Sequence, residues 1–298
     1  MMNIKNITKY IGIGLVGTFL FPVVIVAQCQ SFVGADYSQG IVFVMENDRI
    51  VWQHKAPESN DVWGLPNGNL LFTVGTGVLE ITRQNDTVFY YQSESLVFAC
   101  QRLANGNTFV GECNSGRLLE ISPEGDILKE ICILPAGVDD GGFAFMRNAR
   151  RLDNGHFLVA HYGSERVTEY DDQGGVVWNV DVPGGPHSVV RLPDGHTMVA
   201  VADRTRNPRL VELDINGNVV WEFSNADVPD HSLKFLGGLH CLSDGRILFT
   251  NWVGHENPGK RIHLFLIDKD KHILCQLKNH AGIETMSSVF SIGNKGYH

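Results

Sequence analysis

The sequence predicts an all-β protein, specifically a six-bladed β-propeller of four-stranded antiparallel sheets. Three observations lead to this prediction. One hairpin phrase, an Asn-Gly or Asp-Gly pair between two apolar runs, recurs five times with its glycines at positions 68, 106, 155, 195 and 245. A second hairpin alternates with it, and no helical pattern interrupts the series. Four strands per repeat, at steps of 38, 49, 40 and 50 residues, are typical of propeller blades.

The first hairpin is clearest at residues 191–200, where Asp194 and Gly195 separate two apolar runs. Asn-Gly and Asp-Gly in such a place are strong hairpin signals, because a type I′ turn needs positive φ at both central residues. We therefore expect strands A and B of each blade to meet at a two-residue type I′ turn.

The second hairpin supplies strands C and D. Its turns are expected at Asn47-Asp48, Asn85-Asp86, Glu124-Gly125, Gln173-Gly174, Asn216-Gly217 and Asp270-Lys271. Trp52, Trp178 and Trp221 occupy equivalent places on strand D. A repeated aromatic at that place is predicted to pack between neighbouring sheets rather than to hold a cofactor.

The ring is expected to close through a split sixth blade. Five complete blades run from about residue 59 to residue 277. Residues 287–292 are predicted to form strand A of the sixth blade, residues 30–33 its strand B and residues 40–52 its strands C and D. Pairing both ends of the chain in one sheet closes the ring without leaving an exposed edge.

The first 27 residues carry the features of a secretory signal peptide. Lys5 and Lys9 precede an apolar run that ends at Ala27, and its length, at the low end for spanning a membrane, favours cleavage over anchoring. A membrane anchor and lipidation at Cys29 are the alternatives. We therefore expect one exported propeller domain over residues 28–298, periplasmic or extracellular, with no stable membrane span after signal removal. The net charge of −9 argues against nucleic acid as a partner.

Six cysteines are present, and an exported chain can oxidise them. Cys100 and Cys113 flank the Asn105-Gly106 turn at similar distances, so a bridge across that hairpin is one prediction. Buried free thiols that behave as small apolar groups are the alternative. The absence of a CxxC spacing disfavours a zinc or thioredoxin-type site.

Polar residues interrupt the repeat near one face of the predicted propeller. The B–C and D–A loops share that face, and loops held by a rigid scaffold carry most binding residues. The sixth residue after each hairpin glycine is polar at Glu112, His161 and Asn251 but apolar in the other two repeats. We expect these side chains to converge on the central channel with others near the ends of strand B and the starts of strand A. Those others are Tyr162, Asp203, Trp252, His255, Trp63, Gln101, Arg102, Arg147, Asn148, Arg150, His187 and His240.

The chemistry of this set favours an anionic ligand, because guanidinium groups match carboxylate, sulfate or phosphate oxygens two at a time. The arginines that would supply the positive field are Arg102, Arg147 and Arg150. The candidates for acid–base catalysis are His161, His187 and His255. The remaining members are candidates for substrate binding, and the aromatic ones could stack on a sugar or an aromatic ring. A buried network in which these groups satisfy one another is the structural alternative.

Residues 192–200, followed by residues 211–223, resemble the blade repeats of exported bacterial PQQ-like and arylsulfotransferase-like β-propellers. The resemblance covers nearly all of the mature chain and implies the propeller fold. It also implies sulfate transfer through a central histidine with arginine neighbours, a role open to His161, His187 or His255. The quinone dehydrogenases of this group have eight blades and a tryptophan docking motif. This sequence shows neither, so quinone binding is not expected and no cofactor is predicted.

Three functions are compatible with the pattern. The first is an enzyme that hydrolyses, eliminates or transfers a group on an anionic small molecule or saccharide. The second is a non-catalytic propeller whose pocket binds a saccharide or a protein. The third is a metal-dependent lactonase, in which a divalent metal would take oxygen ligands from Glu112, Asn148, Asp203 and Asn251.

Overall fold

The structure, a computed structural model, describes residues 29–202, 207–255 and 260–298. The predicted signal peptide over residues 1–27 lies outside the described residues. Strands dominate the described part of the chain, where the one helix is α1 (Gly142–Phe145), a single turn. No helix in this part is long and apolar enough to cross a membrane.

Each complete blade is an antiparallel sheet of four consecutive strands, and the strands are numbered in chain order. The first three strands are β1 (Phe32–Asp36), β2 (Ile41–Glu46) and β3 (Arg49–Lys55). Blade 1 comprises β4 (Val62–Gly64), β5 (Leu70–Val74), β6 (Gly77–Ile81) and β7 (Thr87–Gln92). Blade 2 comprises β8 (Val97–Arg102), β9 (Thr108–Glu112), β10 (Arg117–Ile121) and β11 (Ile127–Cys132).

The later blades repeat the same order. Blade 3 comprises β12 (Asn148–Arg151), β13 (Phe157–His161), β14 (Arg166–Tyr170) and β15 (Val176–Asp181). Blade 4 comprises β16 (Pro186–Arg191), β17 (Thr197–Val201), β18 (Arg209–Leu213) and β19 (Val219–Ser224). Blade 5 comprises β20 (Leu236–Leu242), β21 (Ile247–Asn251), β22 (Ile262–Ile267) and β23 (Ile273–Lys278). The last two strands are β24 (Met286–Ser291) and β25 (Gly296–Tyr297).

The predicted six-bladed ring with a split sixth blade is confirmed. Strand β24 pairs antiparallel with β1, and the sheet runs in the order β24-β1-β2-β3. The short, exposed strand β25 adds to the inner strand β20 of blade 5, and His298 directly after it is buried against Leu239 and Asp61. The repeat gives no signal for this extra strand, because no other blade has one.

The turn between strands A and B is longer than predicted. Leu65 accepts a hydrogen bond from Gly68 N–H and donates its own N–H to Asn69, so three residues form the loop. Only the glycine has positive φ, 87°, which is the type I turn with a following left-handed glycine. The predicted type I′ geometry occurs instead in the sixth blade, where Asn47 and Asp48 both have positive φ.

Adjacent blades are tied together by contacts that repeat around the ring. Trp178 and Trp221 each donate an indole hydrogen bond to a carbonyl of the next blade, those of Ile215 and Lys269, which confirms their predicted place between sheets. Glu169 of blade 3 accepts from His156 of its own A–B turn and from Arg191 of blade 4. Buried apolar side chains fill the space between neighbouring sheets.

The disulfide is not the bridge considered between Cys100 and Cys113, for which the alternative of buried free thiols agrees with the structure. Cys29 is bonded to Cys275, with their Cα atoms 5.4 Å apart, whereas Cys100 and Cys113 are buried free thiols. This bond fastens the segment before β1 to strand β23 of the neighbouring blade. A sulfur in a disulfide cannot carry a thioether-linked lipid, so the lipidation alternative at Cys29 conflicts with this arrangement.

Candidate functional site at the mouth of the channel

All six blades contribute to one cavity of about 450 Å³ where the B–C and D–A loops meet around the channel. Its walls are mainly aromatic and apolar, and a few polar side chains point into it. The residues that line it are Tyr37, Glu58, Asn60, Leu96, Phe98, Phe143, Arg147, His187, Phe235, Gly237, Trp252, His255 and Ser287. A cavity of this size and composition is typical of a site for a small organic ligand.

Arg147 is the main positive charge in the cavity. Its guanidinium carbon lies 5.0–5.3 Å from the ring centres of Phe143, Phe98 and Tyr162. No carboxylate of the described residues forms an ion pair with it, and its Nε is buried without a hydrogen-bond partner. Burial lowers the pKa of Arg147, since desolvation disfavours the charged form. A half-buried cation of this kind is a preformed site for an anionic group.

His187 lies at the start of blade 4, with its ring edge against Phe235 at a centroid distance of 5.2 Å. Burial, and then the positive charge of Arg147, lower the pKa of His187 to about 3. The ring is therefore neutral at physiological pH. Its Nδ1 is buried without a partner, so a bound ligand could complete its hydrogen bonding.

His255 lies on the rim of the cavity, in the B–C loop of blade 5. Its Nδ1 is 3.0 Å from Ser38 Oγ, and the Thr285 hydroxyl donates to that same oxygen at 2.9 Å. This chain of hydroxyls fixes the orientation of the imidazole. Its other ring nitrogen, Nε2, is then the one that would exchange a proton with a ligand.

A buried ion pair crosses the channel next to the cavity. Arg150 of blade 3 donates two hydrogen bonds to Asp61 of blade 1, at 2.6 and 2.9 Å. His298 lies in the channel and bonds Asp61 Oδ1 at 3.2 Å and the Leu239 carbonyl at 2.7 Å. Burial raises the pKa of Asp61, but the charges and hydrogen bonds of Arg150 and His298 outweigh it, so the net shift is downward.

Several residues predicted to bind substrate instead join the inner strands of adjacent blades. Separate sheets cannot share backbone hydrogen bonds along the channel, so side chains bridge them. Trp63 donates to the Cys100 carbonyl at 2.6 Å, the Asn148 amide lies between the Arg150 guanidinium and Val189, and His240 Nδ1 accepts from Ser291 N–H at 2.9 Å. Gln101 bonds both backbone groups of Arg151. Arg150, held by Asp61, is the fifth such side chain. For these five, the buried network of mutually satisfied groups is the correct description, and not substrate binding.

His161, Tyr162 and Asn251 lie close to the loops of this face but not in the walls of the cavity. His161 is buried between the Phe145 carbonyl at 2.7 Å and the Tyr170 hydroxyl at 3.0 Å, and burial lowers its pKa. Tyr162 packs against Arg147. The Asn251 amide oxygen accepts from Lys234 N–H, and its amide nitrogen donates to the carbonyls of Ser232 and Ile262. The prediction for Asp203 lies outside the described residues.

Two predicted residues lie away from the channel mouth. Arg102 ends strand β8 instead of starting it, so it reaches the opposite face, where it pairs with Glu80 of blade 1. Glu112 lies in a separate polar cleft of about 480 Å³ and forms an ion pair with Arg117 at 2.7 Å. Hydrogen bonds from Arg117, Ser115 and Ser93 outweigh the effect of burial and lower the pKa of Glu112. Their predicted convergence with Arg147 is therefore wrong.

The oxygen ligands proposed for a lactonase metal do not form one set in the described part of the chain. Glu112, Asn148 and Asn251 are each engaged by protein partners. Two other groups could hold a cation by spacing, at Asp194, His196 and Glu212 and at Asp268, Asp270 and His272. Glu212 of the first group is already paired with Lys269.

The cavity also contains residues that sequence reasoning missed. Tyr37 and Glu58 come from loops on either side of β2 and β3, and Leu96, Phe143 and Phe235 come from D–A loops. What these residues share is their position, because each lies in a B–C or D–A connection on the face predicted from the sequence to carry the site. Among the predicted residues that the structure describes, Arg147, His187, Trp252 and His255 are the ones that line the cavity.

The architecture and the channel cavity place the chain among six-bladed β-propeller proteins. Solved structures with the same fold include a protein of unknown function from Bacteroides caccae, with 23% identity, a TM-score of 0.77 and coverage of 87% of this chain and 97% of that one. Streptogramin B lyase matches with 13% identity, a TM-score of 0.59 and coverage of 84% and 81%. A catalytically inactive histidine variant of virginiamycin B lyase from Staphylococcus aureus with quinupristin matches with 12% identity, a TM-score of 0.58 and coverage of 85% and 86%.

No family model and no curated protein matches the sequence. These three structural likenesses are below 25% identity, and they show the fold alone.

Proposed function

We propose that this protein is an exported β-propeller whose channel mouth binds a small organic anion. The observation that carries the proposal is the half-buried Arg147 guanidinium, which lies among aromatic rings without a carboxylate partner in the described residues. Partial burial of an unpaired cation costs some stability, and a bound anion would offset that cost. His187 beside it is neutral, and its ring nitrogen Nδ1 has no protein hydrogen-bond partner.

The residues in the cavity walls indicate the chemistry of the uncharged part of the ligand. Phe98, Phe235, Trp252 and Tyr37 offer ring faces and edges, and Leu96 adds an aliphatic contact. An aromatic or alicyclic body fits such walls, whereas a fully hydroxylated sugar would leave many hydroxyls without partners. The anionic group itself can be a carboxylate or a sulfate, and the resemblance to arylsulfotransferase-like repeats favours including sulfates among the probes.

Calorimetric titration with 3-phenylpropionate, phenyl sulfate and neutral 3-phenylpropanol tests the proposal. The two anions should bind more tightly than the alcohol, and R147Q should weaken anion binding by about 10–100-fold, the effect of losing a charge-assisted hydrogen bond. R246Q is the matched control, since Arg246 pairs with the exposed Asp244 in an A–B turn. Equal affinity of R147Q and the unmodified protein for both anions would contradict the proposal.

The stability of R147Q separates a binding role from a structural one. R147Q breaks no ion pair of the described residues and loses only the contacts of the guanidinium with three aromatic rings, so it should lower the free energy of unfolding by no more than about 2 kcal/mol. A larger loss would indicate that Arg147 is needed for folding.

A catalytic role is the second candidate, and the oriented imidazole of His255 favours it. In this version His255 moves a proton to or from the substrate while Arg147 holds the anionic group, as in hydrolysis, elimination or sulfate transfer. Release of 4-nitrophenolate from its sulfate, acetate and glucuronide is the assay. H255Q should lower kcat by at least about 100-fold, whereas H272Q, at an exposed turn, should not change it. Binding without any product, or turnover unaffected by H255Q, would leave the pocket as a receptor only.

A further inference from the structure

The cavity holds a second, opposite charge. Glu58 lies in the D–A loop that leads into blade 1, and its exposed carboxylate lines the same cavity as Arg147. The structure gives this carboxylate no ion-pair partner among the described residues, and it does not lie within ion-pair distance of Arg147. Two unpaired charges of opposite sign, rather than one, therefore face a ligand of suitable length.

The backbone at Glu58 is in an unusual conformation. Its φ is 56°, in the left-handed region that non-glycine residues rarely adopt. The buried Asn60 side chain donates to the Glu58 carbonyl at 2.9 Å, and Gly75 N–H donates to the carbonyl of the preceding Pro57 at 3.0 Å. These bonds hold the loop, and with it the carboxylate, at the rim. Strain maintained in this way is common at ligand-binding positions.

Tyr37 responds to both charges. Burial raises the pKa of Tyr37, the negative charge of Glu58 raises it further, and the positive charge of Arg147 acts in the opposite direction. The phenol therefore lies within electrostatic range of both groups. The cavity is positive on the side of Arg147 and negative on the side of Glu58.

We infer that the ligand is a zwitterion: an amino acid or dipeptide with an aromatic side chain, its carboxylate on Arg147 and its ammonium group on Glu58. This inference rests on the proposed function, because it uses the same pocket and the same anion contact. A simple acid would leave Glu58 unmatched, and a simple amine would leave Arg147 unmatched. The ring of the ligand would contact Phe235 and Trp252, which already pack edge to face at a centroid distance of 5.6 Å.

Three probes of similar size separate the charges: L-phenylalanine, 3-phenylpropionate and 2-phenylethylamine. Calorimetry at pH 7 should give L-phenylalanine an affinity at least about tenfold above that of either single-charge probe, the effect of one added charge-assisted contact. E58Q should remove this advantage and leave the affinity for 3-phenylpropionate unchanged or higher. E94Q is the matched control, because Glu94 is an exposed carboxylate in the next D–A loop and lines the separate polar cleft.

The outcomes distinguish this inference from the proposed function. If 3-phenylpropionate binds through Arg147 as tightly as L-phenylalanine does, or if E58Q keeps the preference for L-phenylalanine, the zwitterion inference is overturned and the anion pocket stands. If no acid binds in an Arg147-dependent way, the proposed function itself is overturned.

Discussion

Replacing Asp61 with alanine is expected to lower the free energy of unfolding by about 3–5 kcal/mol, the usual cost of breaking a buried ion pair from one side. Asp61 and Arg150 have side chains only 1% and 4% exposed, and the pair joins blades 1 and 3 across the channel. Without Asp61 the guanidinium stays buried and uncompensated, and the hydrogen bond from His298 is lost as well.

Denaturation by guanidinium chloride measures this change. The double variant D61L/R150M should recover most of the loss, because an apolar pair leaves no buried charge behind. The control is D181A, which removes an ion pair to Arg166 whose partners are 73% and 46% exposed, and it should cost less than about 1 kcal/mol. A loss below about 1 kcal/mol for D61A would mean that water reaches the pair in solution.

Acidification from pH 7 to pH 5 is expected to lower folding stability, with roughly 2 kcal/mol of the loss from His187 and further losses from other buried histidines, His240 among them. Burial lowers the pKa of both, to about 3 for His187 and well below the usual value for His240. As pH falls below about 6.5, these histidines take up protons in the unfolded chain but stay neutral in the folded one. Stability is therefore complete above that pH and declines as pH falls toward the folded pKa values.

Thermal and denaturant unfolding between pH 7.5 and pH 4.5 measures this slope. H240Q should reduce the loss, since it removes one group whose pKa burial lowers. H272Q is the control, because His272 is exposed and its pKa is raised by Asp268, so its removal should not flatten the acid limb. A flat profile from pH 7 to pH 5, or an H240Q slope equal to that of the unmodified protein, would contradict this account.

The fold was predictable because its determinants are local. Each hairpin is encoded within about ten residues, and the glycine of each A–B turn has positive φ as expected. The exact type of the A–B turn was not predictable. An Asn-Gly or Asp-Gly pair occurs in both two-residue and three-residue hairpin loops, so the pair alone does not distinguish them. Strand β25 and the disulfide of Cys29 were also beyond the sequence pattern, because neither follows the repeat.

The site was predictable only in part, because the sequence did not locate the first residue of each inner strand accurately. Locating the starts of strand A from their polar residues placed Arg102 at the wrong end of β8, which in fact begins at Val97. Position also does not say whether a charge already has a partner: Arg147 and Arg150 are three residues apart, yet Asp61 pairs with one and not the other. Asp61 belongs to a different blade, and only the closed ring brings it near.

The most direct test of the anion pocket is a crystal structure of the protein with 3-phenylpropionate at a saturating concentration. The expected result is a carboxylate within hydrogen-bond distance of the Arg147 guanidinium, with the phenyl ring against Phe235 and Trp252. An empty cavity, or a ligand bound elsewhere while Arg147 keeps only its aromatic neighbours, would contradict the account.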